Sequence, residues 1–169
     1  LTDFKSLLRA LAGAGVEFIL VGGAAATVHG STRLTLDLDV VYRRSGQNLE
    51  RLVLALIPYH PHLRGAPPGL PFRWDAETLR RGLNFTLTTD LGDLDVLGEI
   101  VGGGRYEDLA GHTVTITVFG VECRCLDLQA LIRAKRAAGR PKDLEAVAEL
   151  EAISEEQRRG GESGPGGPP

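Results

Sequence analysis

The stretch "FILVGGAAATVHGSTRLTLDLDVV", Phe18 to Val41, constrains the fold more than any other segment. An apolar run that predicts a short strand, Glu17–Val21, stops at Gly22-Gly23 and passes into a small-residue helix, Ala24–His29. Arg33–Arg43 then alternates, with Leu34, Leu36, Leu38 and Val40 on one side and Thr35, Asp37 and Asp39 on the other. A period of two predicts a strand with one buried face. Two aspartates spaced by two on such a strand share a face, with Cα atoms about 6–7 Å apart, where like charges repel. Strands also disfavour Asp as a residue type. Alternation alone yields a solvated polar face, but Thr, Lys or Ser would serve there at lower cost. A divalent cation reverses the sign of the local energetics, because hard Mg²⁺ takes one or two carboxylates and leaves its other positions to phosphate and water oxygens.

A third carboxylate strengthens the cation reading. In "GDLDVLGEI" the alternation returns, with Leu94 and Val96 set against Asp93, Asp95 and Leu97. A strand here that pairs beside the first brings Asp95 toward the Asp37/Asp39 face. Asp93 competes for the role but lies at the turn, where Asp commonly acts locally, so Asp95 is the preferred third acid. Three converging carboxylates suit two-metal phosphoryl transfer. The glycine pair suits the same chemistry, because a strand that ends in Gly-Gly and opens a helix offers backbone N–H groups to phosphate without a Cβ in the way.

The rest of the chain supplies a frame. Helices are predicted over Asp3–Ala12, with Phe4, Leu7, Leu8 and Leu11 on one face, and over Leu49–Ile57 before Pro58. The Pro- and Gly-rich stretch His60–Arg73 predicts a loop, and Asp75–Arg81 one or two helical turns capped by Asp75. Asn84–Thr89 and Asp93–Leu97 form one hairpin, His112–Val118 and Val121–Cys125 another. Two helices, Leu126–Ala138 and Lys142–Ser154, flank Gly139-Arg140-Pro141. The mixture predicts an α/β or α+β fold with helices packed on a mixed sheet. Residues 1–157 are expected to form the domain. The final "RRGGESGPGGPP", residues 158–169, holds five glycines and three prolines and is expected to be a disordered tail.

Taken together, "LVGGAAATVHG", "RLTLDLDVV" and "GDLDVLGEI" resemble the nucleotidyltransferase superfamily, the polymerase-beta-like fold. The stretches "HGSTRLTLDLD" and "KRAAGRPKDLEAVAEL" are similar to its small prokaryotic branch, which includes minimal nucleotidyltransferases and the toxins of type IV toxin–antitoxin systems. The resemblance runs from about Phe4 to Leu150. It implies a Mg²⁺- or Mn²⁺-dependent enzyme that transfers NMP from an NTP to a hydroxyl of a protein or RNA acceptor and releases pyrophosphate. Asp37, Asp39 and Asp95 would be the catalytic metal ligands, with Asp95 helping to deprotonate the attacking hydroxyl. Gly22 and Gly23 would face the triphosphate, and Arg33, Lys135 and Lys142 would meet phosphate charge. Many members carry Ser after the first glycine, whereas Gly23 leaves only backbone donors. The alternative is an interaction module binding a cognate toxin or antitoxin, or a nucleotide-binding protein with weak or no catalysis.

Several residues have simpler roles open to them. Arg33 can pair with Asp37 or Asp39 across the strand surface, and Lys135 with Arg136 can be a solvated face near a helix C-terminus. Asp143 suits a helix first turn, His29 a helix end, and Phe72 and Trp74 the edge of the core. Cys123 and Cys125, two apart on one strand, are poor disulfide partners and are expected to be reduced and structural. A net charge of −3 argues against nonspecific nucleic-acid binding by the whole surface. No apolar run approaches the ~18 residues that span a bilayer, and no secretory leader is recognisable, so a cytoplasmic location without membrane contact is expected.

Overall fold

The apolar run after Glu17 is a central strand, buried along its whole length, with sheet neighbours on both of its edges. The computed structural model describes residues 1–162. The chain opens with α1 (Phe4–Gly13), β1 (Phe18–Val21), α2 (Gly22–Val28), β2 (Leu38–Tyr42) and α3 (Gly46–Leu56). Next come β3 (His62–Leu63), α4 (Ala76–Arg81), β4 (Asn84–Thr89), β5 (Gly92–Leu97), β6 (Glu99–Ile100), β7 (Gly104–Arg105) and α5 (Tyr106–Leu109). The hairpin β8 (Thr113–Val118) and β9 (Val121–Leu126) leads into α6 (Leu128–Ala138) and α7 (Pro141–Glu162). Seven strands form one mixed sheet in the order β3-β4-β5-β2-β1-β9-β8, giving an α+β fold. Among the described residues no helix is long and apolar enough to cross a membrane.

Local chemistry sets the element ends. Asp3 accepts from Ser6 N at 3.0 Å to cap α1, which buries Leu7, Leu8 and Leu11. Asp75 accepts from Thr78 N at 2.8 Å, the cap expected from sequence. Asp127 caps α6 through Ala130 N, so Leu126 ends β9 instead of opening the helix. Gly139 closes α6 at φ +66°, and Pro141 starts α7, where a missing N–H costs nothing. Helix α7 runs past Ser154 to Glu162, so residues 158–162 of the expected tail are helical; residues 163–169 lie outside the described residues. Good helix formers from Glu155 to Arg159 and the Arg159–Glu155 pair one turn apart support that extension as far as Gly160-Gly161.

The expected strand over Arg33–Arg43 shortens to Leu38–Tyr42. Register explains the loss. Antiparallel pairing of β1 with β2 ends at Val21 opposite Asp39, and parallel pairing of β2 with β5 starts at Leu38 opposite Leu94. Residues before Leu38 therefore have no strand to pair with. They fold back over the start of α2, leaving Leu34 86% and Leu36 66% exposed in place of the expected buried face. Inside the expected loop His60–Arg73, His62–Leu63 adds an edge strand to β4. Both hairpins form as expected, both cysteines are free and buried, and Trp74 donates to Val53 O at 3.1 Å against the core.

Asn48 is a support that sequence patterning does not reveal. It is 1% exposed, accepts from Glu17 N at 2.7 Å, and donates to Glu17 O at 3.0 Å and Arg43 O at 2.7 Å. One amide thus ties the entry of β1 to the exit of β2. Asn48→Ala strands Glu17 N and Arg43 O, both part-buried, while Glu17 O keeps Arg43 N at 3.2 Å, and is expected to cost about 1–3 kcal/mol in urea unfolding.

Candidate active site

Pleat and register bring the acids together. Residues opposite each other on neighbouring strands face the same side, and parallel pairing sets Asp39 of β2 directly beside Asp95 of β5. Asp37 lies just before β2, two residues from Asp39, and turns to the same side. One oxygen from each of Asp37, Asp39 and Asp95 lies within 4.8 Å of the others. Asp93 also lies on β5 and accepts from Thr88 Oγ1 at 3.0 Å, a contact local to the hairpin.

Three acids packed this closely oppose one another's ionisation. Burial, then the negative charges of Asp37 and Asp95, push the Asp39 carboxyl up to about 8. Burial also raises Asp95, against the pull of the Arg64 guanidinium. Three hard oxygen donors gathered in this way fit a Mg²⁺- or Mn²⁺-class ion.

The glycine pair is required by these same residues. Val21 opposes Asp39, so Gly22 sits against the Asp39 side chain, and a Cβ there would overlap its carboxylate. Gly22 also holds φ +64°, a left-handed backbone that L side chains disfavour. At Gly23 a Cβ would lie 2.5 Å from Thr35 Oγ1, in the loop that replaces the expected strand.

Basic residues line the adjoining space. A cavity of about 310 Å³ is walled by Gly22, Gly23, Arg33, Asp37, Asp39, Lys135 and Lys142. Arg33 does not pair with the aspartates; it bonds Glu145 on α7 at 2.9 Å. Lys135 is half-buried, and burial lowers its ammonium below the usual lysine range against the opposing pull of Asp143 and Asp39. Lys142 is exposed. A second cavity of about 400 Å³ shares Gly22, Asp39 and Lys135, and its far wall is apolar: Leu97, Ile100, Leu131 and Ala134. His29 ends α2, and its Nε2 lies 2.7 Å from Leu126 O, a helix-terminal role.

Three residues here had no site role in the sequence reading, although Asp143 does stand in the first turn of α7 as expected. Asp143 is 3% exposed and accepts from Arg140 Nε at 2.6 Å, and both line the two cavities. Burial raises Asp143, but the hydrogen bonds and charge of Arg140 outweigh it and leave the carboxyl below its usual value. The i, i+3 spacing across Pro141 was a readable signal for that pair. Arg64 reaches Asp95 Oδ1 at 2.8 Å from within the Pro- and Gly-rich stretch, where no periodicity marked it.

No protein-family model matches the chain, and no curated protein does. Solved structures do. Lincosamide antibiotic adenylyltransferase LnuA, bound to lincomycin, aligns with a TM-score of 0.58 and 15% identity over 90% of this chain and 98% of that one. An antigenic nucleotidyltransferase-like protein from Paracoccidioides brasiliensis aligns at 0.51 and 17% identity, over 86% of this chain and 72% of that one. The chain has the fold of nucleotidyltransferases.

Proposed function

We propose that this nucleotidyltransferase fold carries metal-dependent transfer of NMP from an NTP to an acceptor hydroxyl. The observation that supports it is the Asp39–Asp95 pairing with Asp37 alongside: three costly carboxylates converge next to a cavity lined by basic residues. In this reaction the acceptor oxygen bonds to the α-phosphorus, the bond from that phosphorus to the β-phosphate oxygen breaks, and pyrophosphate leaves. Asp37, Asp39 and Asp95 would hold the divalent ion, which when bound supplies charge neutralisation at the reacting phosphate. Asp95, the least exposed of the three acids around Arg64, accepts the proton of the attacking hydroxyl. Arg33, Lys135 and Lys142 receive phosphate charge from the basic wall, and Gly22 and Gly23 let the phosphates approach the backbone.

The acceptor classes are a protein or RNA hydroxyl, with a small-molecule hydroxyl as a third because the LnuA neighbour holds lincomycin. Incubation with each α-labelled NTP, Mg²⁺ or Mn²⁺, and pools of cell protein, RNA and small hydroxyl compounds separates them. Label should move into one pool and stay in the NTP with Asp37→Ala. Absence of metal–NTP binding would reject the reading.

A further inference from the structure

One cation already stands among the carboxylates. Arg64 follows the edge strand β3, and its backbone N–H donates to Thr86 O at 2.9 Å. From that anchor the side chain spans β4 and reaches β5. Nη2 donates to Leu87 O at 2.7 Å and to Asp95 Oδ1 at 2.8 Å. Nη1 lies 3.5 Å from Asp37 Oδ2, and Nε lies 3.4 Å from Asp93 Oδ1.

Two features distinguish this arrangement from a permanent structural bridge. Guanidinium offers five N–H donors, yet both of its hydrogen bonds here leave from one nitrogen. Nε is buried and makes no hydrogen bond, its contact with Asp93 being one of charge alone. A buried donor without a partner is a cost that a finished bridge avoids. The second feature is position. Arg64 touches two of the three acids that converge, so its charge rests on oxygens that a divalent ion would use. Arginine keeps that charge at every working pH and cannot step aside by losing a proton. It has to move, or it repels the ion.

We propose that Arg64 is a displaceable counter-cation, which holds Asp37 and Asp95 together in the metal-free protein and yields them when a divalent ion arrives already bound to a nucleoside triphosphate. The phosphates of that complex supply the new anionic partner that a bare ion lacks. Arg64 is then a positioning residue that makes the site select metal–nucleotide over free metal. This rests on the nucleotidyl-transfer reading above.

Binding of Mn²⁺, followed by electron paramagnetic resonance, tests the idea without turnover. Wild-type protein should take Mn²⁺ alone weakly and take it roughly tenfold or more tightly beside an α,β-methylene NTP analogue. Arg64→Gln should bind Mn²⁺ alone roughly tenfold or more tightly than wild type, with a smaller gain from the analogue. Arg64→Lys keeps the charge and should bind Mn²⁺ alone as weakly as wild type. Should the Gln variant not fold, the wild-type Arg64 Nε–H resonance carries the test: it should move with Mg²⁺ plus analogue and stay unchanged with Mg²⁺ alone. Unchanged or weaker Mn²⁺ binding by folded Arg64→Gln, or an Nε–H signal indifferent to the analogue, would overturn the proposal. If wild type binds neither ion nor analogue, the nucleotidyl-transfer reading fails and this inference with it. If wild type binds both and the variant matches it, Arg64 alone is misassigned.

Discussion

Asp39→Asn is expected to cut nucleotidyl transfer sharply while raising the melting temperature of the metal-free protein. The two effects have one cause. Asp39 is held between two other acids, and burial with their charges pushes its carboxyl up to about 8 in the fold. In the unfolded chain the same group titrates near 4, as an ordinary aspartate does. The folded protein therefore binds more protons than the unfolded chain between those values. Stability is fully present below about pH 4 and falls as pH rises toward about 8. At pH 7 the cost reaches at most about 4 kcal/mol, set by the distance from the unfolded value. Asn removes it and can still donate a hydrogen bond to Asp95. Melting temperature in EDTA should rise by roughly 5 °C or more at pH 7–8 and fall less steeply with rising pH than in wild type. Transfer should drop by about 10³-fold, because the charge that would seat the cation is gone. Mg²⁺ with nucleotide should raise the melting temperature of wild type and leave the variant unmoved. A variant that melts below wild type in EDTA at pH 8 would contradict the burial argument.

How much of this was legible in the chain depended on whether the signal was local. Asp95 could be placed because alternation in "GDLDVL" and in "LDLDVV" has the same period, and two strands of one sheet present like faces. The cap at Asp75 and both hairpins were readable for the same reason: a few neighbouring residues determine them. Leu34 and Leu36 misled. Their alternation is as regular as that of Leu38 and Val40, but β1 is only four residues long and offers them no partner. Arg64 and Asn48 were invisible because their roles come from pairings across 31 residues, Arg64 to Asp95 and Asn48 to Glu17. No window of sequence contains both partners. The glycine pair fell between these cases. Its need for close approach was readable, but the group that approaches in the metal-free fold is Asp39, with Thr35 beside Gly23.

That contact makes Gly22→Ala the most severe glycine-to-alanine change expected among the described residues. Two costs combine. A non-glycine residue at φ +64° loses about 1 kcal/mol or more to backbone strain. The new Cβ would also occupy the space of the Asp39 carboxylate, a group pinned by β1 on one side and β5 on the other. Because the strand cannot shift without breaking its ladder, Asp39 must rotate away from Asp37 and Asp95. Destabilisation of about 2–4 kcal/mol should follow in urea unfolding. Transfer should fall by about 10²-fold or more, since roughly 1 Å of displacement at a reacting centre has that effect. Gly46→Ala is the control: nothing lies within 4 Å of its Cβ position, it sits in the first turn of α3, and it should be neutral or slightly stabilising. Trimming Asp39 separates the two costs. If the collision dominates, Gly22→Ala combined with Asp39→Ala loses less stability than the two single changes summed, because the carboxylate is no longer there to be displaced. Strict additivity would leave backbone strain as the whole effect, and wild-type stability and transfer in Gly22→Ala would remove the glycine from the site altogether.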